Sequence, residues 1–243
     1  MKKKLVIIIP ARSGSKRVKN KNMKQLGAIP LLGHKIKSCI NSKVGKVIVS
    51  TNSRKIAHYA KTLGAEVPFL RPKKYSTAKA STMSCILHVI RYFKHNGLSI
   101  PDYIAILPPT NPFLKINSIK KAYKKISSNN KFNSIISITK SSEHPFLIIK
   151  SKRKILFDIV KFGGSKYSDF ESTQDWPLVE IASAALKISK TKFFLKFIKN
   201  KSPLINMKTF DINSCIGYKV TEKEAFDVNS KNDFDIANAL VEK

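Results

Sequence analysis

The chain opens with an unbroken apolar run, Leu5-Val6-Ile7-Ile8-Ile9, that stops at Pro10. Five β-favouring side chains in a row, with no polar alternation, fit a strand buried on both faces. Further strands are expected at 46–50, 103–107 and 134–138. Between them apolar positions recur at helical spacing. Leu32, Ile36, Cys39 and Ile40 form one stripe, and Ile56, Ala60 and Leu63 a second, with Gly64 placed to end that helix. Met83, Ile86, Leu87, Ile90 and Phe93 make a third, and Ile119, Ala122, Tyr123 and Ile126 a fourth. Strand and helix in alternation predict an α/β protein with a mostly parallel sheet covered on both sides.

From 141 to 172 the alternation loosens, and the apolar pairs there fit short antiparallel strands. A further core strand is expected at 181–188 and a helix at 192–199. Ser230-Lys231-Asn232-Asp233 is spaced to cap a last helix carrying Phe234, Ile236, Ala237 and Leu240. No internal repeat or low-complexity linker interrupts the 243 residues, so 1–243 reads as a single domain.

Lysine and arginine number 46 against 15 acidic residues, a formal net charge of +31. The lysines are scattered through every segment and accompany no nucleic-acid motif, so no nucleic-acid partner is expected. The field they create attracts anionic substrates. Cys39, Cys85 and Cys215 are far apart and one stays unpaired in any bridge, which argues for a reducing compartment and against a cysteine metal site. Lys2-Lys3-Lys4 before the first apolar run has the polarity of a leader, but Pro10 and Arg12 cut its apolar core short. A cytoplasmic location without a membrane partner is expected. The five histidines show no metal spacing, and His34 and His58 fall on helix surfaces.

The strongest chemical signal follows the first strand, in Ala11-Arg12-Ser13-Gly14-Ser15-Lys16-Arg17 with Lys21-Asn22 beyond. Ser13, Gly14 and Ser15 have little bulk, so their backbone N–H groups can approach an anion closely. Arg12, Lys16, Arg17 and Lys21 bring positive charge to the same loop. Neither Gly-x-Gly-x-x-Gly nor Gly-x-x-x-x-Gly-Lys-[Ser/Thr] is present. The segment reads as a polyphosphate site of another kind.

This loop, with Lys19-Asn20-Lys21-Asn22 and Gly27-Ala28-Ile29-Pro30-Leu31, resembles the opening of the acylneuraminate cytidylyltransferase (CMP-sialic acid synthetase) family. The similarity continues in order through Val47-Ile48-Val49-Ser50-Thr51-Asn52, Gly64-Ala65-Glu66-Val67, Phe69-Leu70-Arg71-Pro72, Leu107-Pro108-Pro109-Thr110-Asn111-Pro112-Phe113, Gln174-Asp175-Trp176-Pro177 and Phe226-Asp227-Val228-Asn229. The resemblance implies a Rossmann-like three-layer sandwich and a small dimerisation element at about 141–180, hence a homodimer. It implies attack of a hydroxyl of a nonulosonic, sialic-acid-like 2-keto sugar on the α-phosphate of CTP, releasing pyrophosphate with the help of Mg2+.

By the same resemblance, Arg12 and Lys21 hold the triphosphate, with Ser13, Gly14, Ser15 and Lys16 around it. Asn22, Arg71 and Thr82 meet the nucleoside; Thr82 is also placed to cap a helix. Gln174 and Asp175 face the sugar. Asp227 and Asn229, two apart on an extended segment and so on one side of it, hold the metal, and Asp227 joins Arg12 and Lys21 as a catalytic group. Six positions depart from the family pattern: Asn52 and Ala78 replace aspartates, Pro108 a glutamine, Ser183-Ala184 an Asn-Gly pair, and Asn229 an aspartate. The nucleotide side is thus closer to the family than the sugar side. The alternatives are a synthetase for the eight-carbon sugar Kdo, a homologue that binds nucleotide with little turnover, and a nucleic-acid-binding protein on the same fold.

Overall fold

A computed structural model describes residues 3–15, 18–77, 80–141, 143–147, 149–152, 155–158, 169, 172–199 and 209–241. In chain order the strands are β1 (Leu5–Pro10), β2 (Gln25–Leu26), β3 (Ile29–Pro30), β4 (Lys46–Ser50), β5 (Tyr103–Ile106), β6 (Ser134–Lys140), β7 (Ile149–Lys152), β8 (Ile155–Asp158), β9 (Glu180–Lys190) and β10 (Cys215–Lys219). The helices are α1 (Leu31–Ser42), α2 (Arg54–Thr62), α3 (Thr82–His95), α4 (Ile116–Ser127), α5 (Thr191–Lys199), α6 (Glu222–Ala225) and α7 (Lys231–Val241).

Six strands form the main sheet in the order β10-β6-β9-β5-β1-β4. All pair in parallel except β9, which runs antiparallel to both β5 and β6. The period-two rule sorts the side chains of each strand. Leu5, Ile7, Ile9, Val47, Val49 and Ala105 pack with α1, α2 and α4 on one face. Val6, Ile8, Ile48, Ile104 and Ile106 pack with α3 and α5 on the other. The expected three-layer, Rossmann-like α/β sandwich is present.

From β1 the chain passes to β4 on one side and later to β5 on the other. β1 is therefore the point where strand order reverses, and a crevice opens beyond its carboxyl end. A smaller apolar cluster roofs this end: Val18, Leu26, Leu31, Val228, Phe234 and Ala237.

Several local expectations shift. The strand expected to reach Leu107 ends at Ile106. Residues 145–147 make a 3-10 turn, and the short antiparallel pair begins only at Ile149. Gly64 ends α2 as expected: the helix stops at Thr62, Leu63 is its C-cap and Gly64 follows at φ +83°. Ser81, not Thr82, caps α3 by accepting the Ser84 N–H, and Thr82 is the first residue of the helix. On α7, Ser230 accepts the Asp233 N–H as expected, but Ile236 is exposed and Phe234 and Ala237 alone are buried.

Candidate active site

The loop after β1 is held by its own small polar side chains. Ser15 Oγ donates to the Val18 carbonyl at 2.6 Å and accepts the Lys21 N–H at 3.0 Å. Gly14 stands at φ +74°, a conformation that disfavours a side chain even though the space around it is open. Asn22 is buried, and its Nδ2 donates to the Arg12 carbonyl at 3.0 Å. The Ser13 N–H is already taken by Asn52 Oδ1, at 2.9 Å. No acceptor among the described residues takes the Gly14 or Ser15 N–H, so these two amides are the ones open to an anion.

Two of the expected cations meet here. Arg12 is half-buried and turns back on its own loop, where Nη1 donates to the Gly14 carbonyl at 3.0 Å. Lys21 reaches across the crevice: its Nζ donates to the Val228 carbonyl at 2.7 Å. It thereby joins the phosphate loop to the segment carrying Asp227 and Asn229. Lys16 and Ala78 lie outside the described residues.

Arg71 comes from the strand-like segment beside β4, fixed by its N–H on the Thr51 carbonyl. The side chain is buried, and its Nε and Nη2 have no hydrogen-bond partner. Burial lowers its pKa, the Cys85 thiol beside it acts in the opposite sense, and the charge of Arg12 lowers it further. Arg12 and Arg71 are therefore close enough for their charges to act on each other. The unpaired Nε and Nη2 donors suit an acceptor-rich ligand such as a pyrimidine carbonyl or a phosphate. Thr82 is exposed at the start of α3.

On the opposite wall the Val228 N–H is fixed on the Thr110 carbonyl at 2.8 Å. Asn229 Nδ2 donates to Asp227 Oδ2 at 2.9 Å, so the two side chains do share one side. Asp227 Oδ1 is buried and has no partner. Among the described residues no group of three or more His, Cys, Asp or Glu side chains could hold a metal ion. One carboxylate and one amide carbonyl side by side nevertheless fit Mg2+, which takes one or two protein oxygens and fills its shell with water and substrate phosphates.

Gln174 and Asp175 are not brought to this crevice. They form an exposed 3-10 turn, and Gln174 lines a separate cleft with Lys140, His144 and Trp176 that includes no residue of the phosphate loop. Ser183 is buried in β9 at a register shift. There Ser137 Oγ accepts the Leu186 N–H at 3.0 Å and donates to the Ser183 carbonyl at 3.1 Å. Pro108 sits in the β5 exit loop, half-buried.

The structure adds residues that sequence reasoning missed. Lys35 on α1 is fully buried. Burial lowers its pKa to about 8, against the charges of Cys39, Asp227 and Glu224 that raise it. A lysine inside the Leu31–Cys39 apolar stripe was the available signal. Glu224 is buried under α4, where Oε1 accepts from Ser118 Oγ and the Lys115 N–H. Burial raises its pKa, but these bonds and those from Thr221 outweigh it and hold the carboxyl below its ordinary value.

A doubly covered, mostly parallel sheet with a cationic loop at its reversal point defines a doubly wound α/β protein. The chain belongs to the cytidylyltransferase family, whose sequence profile matches residues 6–160. It is 30% identical over 247 residues to the N-acylneuraminate cytidylyltransferase of Escherichia coli O18:K1:H7, a match covering 100% of this chain and 53% of that protein. It is 34% identical over 127 residues to the pseudaminic acid cytidylyltransferase of Campylobacter jejuni serotype O:23/36, covering 52% of this chain and 54% of the relative. In both cases only about half the length of the curated relative is matched. Among solved structures, a CMP:2-keto-3-deoxy-manno-octonic acid synthetase complexed with CTP superimposes with a TM-score of 0.72 over 98% of each chain. At 13% identity that likeness speaks for the fold alone.

Proposed function

We propose that this protein transfers CMP from CTP to a hydroxyl of an acidic, sialic-acid-like 2-keto sugar and releases pyrophosphate. The observation that carries the reading is the convergence at one sheet end of Arg12, Arg71, Lys21 and the Asp227–Asn229 pair. The relatives whose names specify N-acylneuraminate and pseudaminic acid narrow the acceptor to this sugar class.

In the reaction the sugar oxygen bonds to the α-phosphorus as the bond from phosphorus to the pyrophosphate oxygen breaks. The hydroxyl proton is released to the medium. This chemistry calls for charge neutralisation and in-line positioning rather than a covalent nucleophile. Arg12 exchanges its loop carbonyls for the triphosphate, and Lys21 exchanges the Val228 carbonyl for the same anion. The Gly14 and Ser15 amides cradle phosphate oxygens, and the two open N–H groups of Arg71 meet the nucleoside. Asp227 and Asn229 would hold Mg2+, which supplies charge neutralisation on the phosphates. Gln174 and Asp175 reach a sugar only if the segment around 141–180 crosses to a second copy of the chain. We therefore extend the proposal to a homodimer in which that element serves the neighbouring site.

Incubation with CTP, Mg2+ and a panel of sugar acids, followed by pyrophosphate release, tests the reading. Turnover is expected with nonulosonic acids; turnover confined to Kdo would redirect it, and none at all would sink it. In a thermal-shift series with the four nucleoside triphosphates, CTP is expected to stabilise most.

A further inference from the structure

Lys35 has none of its surface exposed, and its Nζ has no hydrogen-bond partner. A buried ammonium without a partner is strongly disfavoured, so its donors must be met inside the fold. Two acceptors nearby are equally orphaned: Asn111 Oδ1 and Asp227 Oδ1 are buried and without partners. Glu224 is not the missing acceptor, since Oε1 takes the Ser118 hydroxyl and Lys115 N–H, and Oε2 takes the Thr221 N–H and hydroxyl.

The Asn111 orientation follows from chemistry. Its Nδ2 donates to the Ala225 and Phe226 carbonyls at 3.1 and 2.9 Å, and a flipped amide would set oxygen against both. Its Oδ1 must therefore face away from them. Leu31, one turn before Lys35 on α1, packs in one buried cluster with Val228, which brings that face of the helix to the segment that Asn111 also contacts, and the Asp227 charge acts on Lys35 there.

We propose that Lys35 is an internal counter-ion that positions Asp227 from inside the fold, with Asn111 and ordered water completing the network. A buried water making such bridges is a normal part of a protein interior. Lys35 then fixes Oδ1 inward, which turns Oδ2 to the Asn229 side, where Asn229 Nδ2 meets it at 2.9 Å. Its catalytic consequence rests on the transferase reading above; the coupling itself does not.

The test is a double-variant cycle, Lys35→Met with Asp227→Asn, read by thermal unfolding of the protein free of nucleotide and metal. Lys35→Met is expected to lower the midpoint by about 5 °C or more with Asp227 present, and to have little effect or raise it with Asn there. In turnover, Lys35→Met is expected to lower kcat about tenfold while KM for CTP stays within about twofold. Effects on the midpoint that simply add, or a Lys35→Met protein as stable as the parent, overturn the proposal. An unchanged kcat overturns its catalytic part. Should Lys35→Met not fold, the parent with 15N-labelled lysine decides: a slowly exchanging ammonium signal that moves in Asp227→Asn supports the proposal. An unmoved signal, or none, overturns it. If the parent releases no pyrophosphate with any sugar acid, the transferase reading fails while the thermal cycle still reports on Lys35.

Discussion

Asn52 takes the Ser13 N–H on its side-chain carbonyl at 2.9 Å, and so ties the end of β4 to the start of the phosphate loop. The first amide of the loop is spent on shape, and only the following ones are left for an anion. An aspartate here would make the same bond but add a negative charge beside an arriving triphosphate. Asn52→Ala is expected to raise KM for CTP about fivefold, the loss of one net hydrogen bond. Asn52→Asp is expected to keep the fold and also raise it. Initial rates against CTP concentration check both.

Arg12 and Lys21 each donate to a backbone carbonyl at the crevice. Arg12→Ala and Lys21→Ala are expected to cost roughly a hundredfold or more in rate, as loss of a preorganised charge contact does. Their unfolding midpoints should stay near that of the parent. Near-normal turnover in either folded variant would remove that residue from the site.

Asn229 leaves the Asp227 side of the crevice one charge short of a carboxylate pair. Activity is expected to need more Mg2+ in the parent than in Asn229→Asp, and to be nearly absent in Asp227→Ala. Titrating Mg2+ against initial rate in the three proteins decides this.

Folding lowers the pKa of Glu224 below its ordinary value of 4.5, through its hydrogen bonds and against its burial. Its contribution to stability is therefore complete above that value and is lost as pH falls through the folded one. Glu224→Gln is expected to lower the midpoint at neutral pH, because an amide NH2 replaces an acceptor that faces donors. The same variant should flatten the fall in midpoint below pH about 4.5. A pH series of melting curves on the two proteins reads both effects.

The strands and most helices were legible because burial on a sheet or helix imposes a short period on neighbouring residues. The runs 5–9 and 46–50 and the Met83–Phe93 stripe needed no partner to be recognised. The phosphate loop was legible for a similar reason, its small and cationic residues being contiguous. What escaped depends on distant pairings. Asn52 and Ser13 are 39 residues apart, and Ser118 and Glu224 are 106 apart; neither pair leaves a local signature. Lys35 was hidden differently, since a long side chain at an apolar helical position reads as a stem lying along the surface. Ile236 fitted a helical stripe but met no element to cover it, and so stands exposed.

The register shift between Ile136 and Ile138 has an evolutionary side. Ser137 stands in the gap it leaves and closes the ladder with its hydroxyl, so the irregular stretch of β9 from Ser183 to Leu186 is held by a side chain as well as by strand pairing. Substitutions in that stretch can alter its shape without breaking the β1, β4 and β5 pairings that carry the phosphate loop. A lineage is then free to change residues 183–184 while the loop carried by β1 and β4 keeps its place.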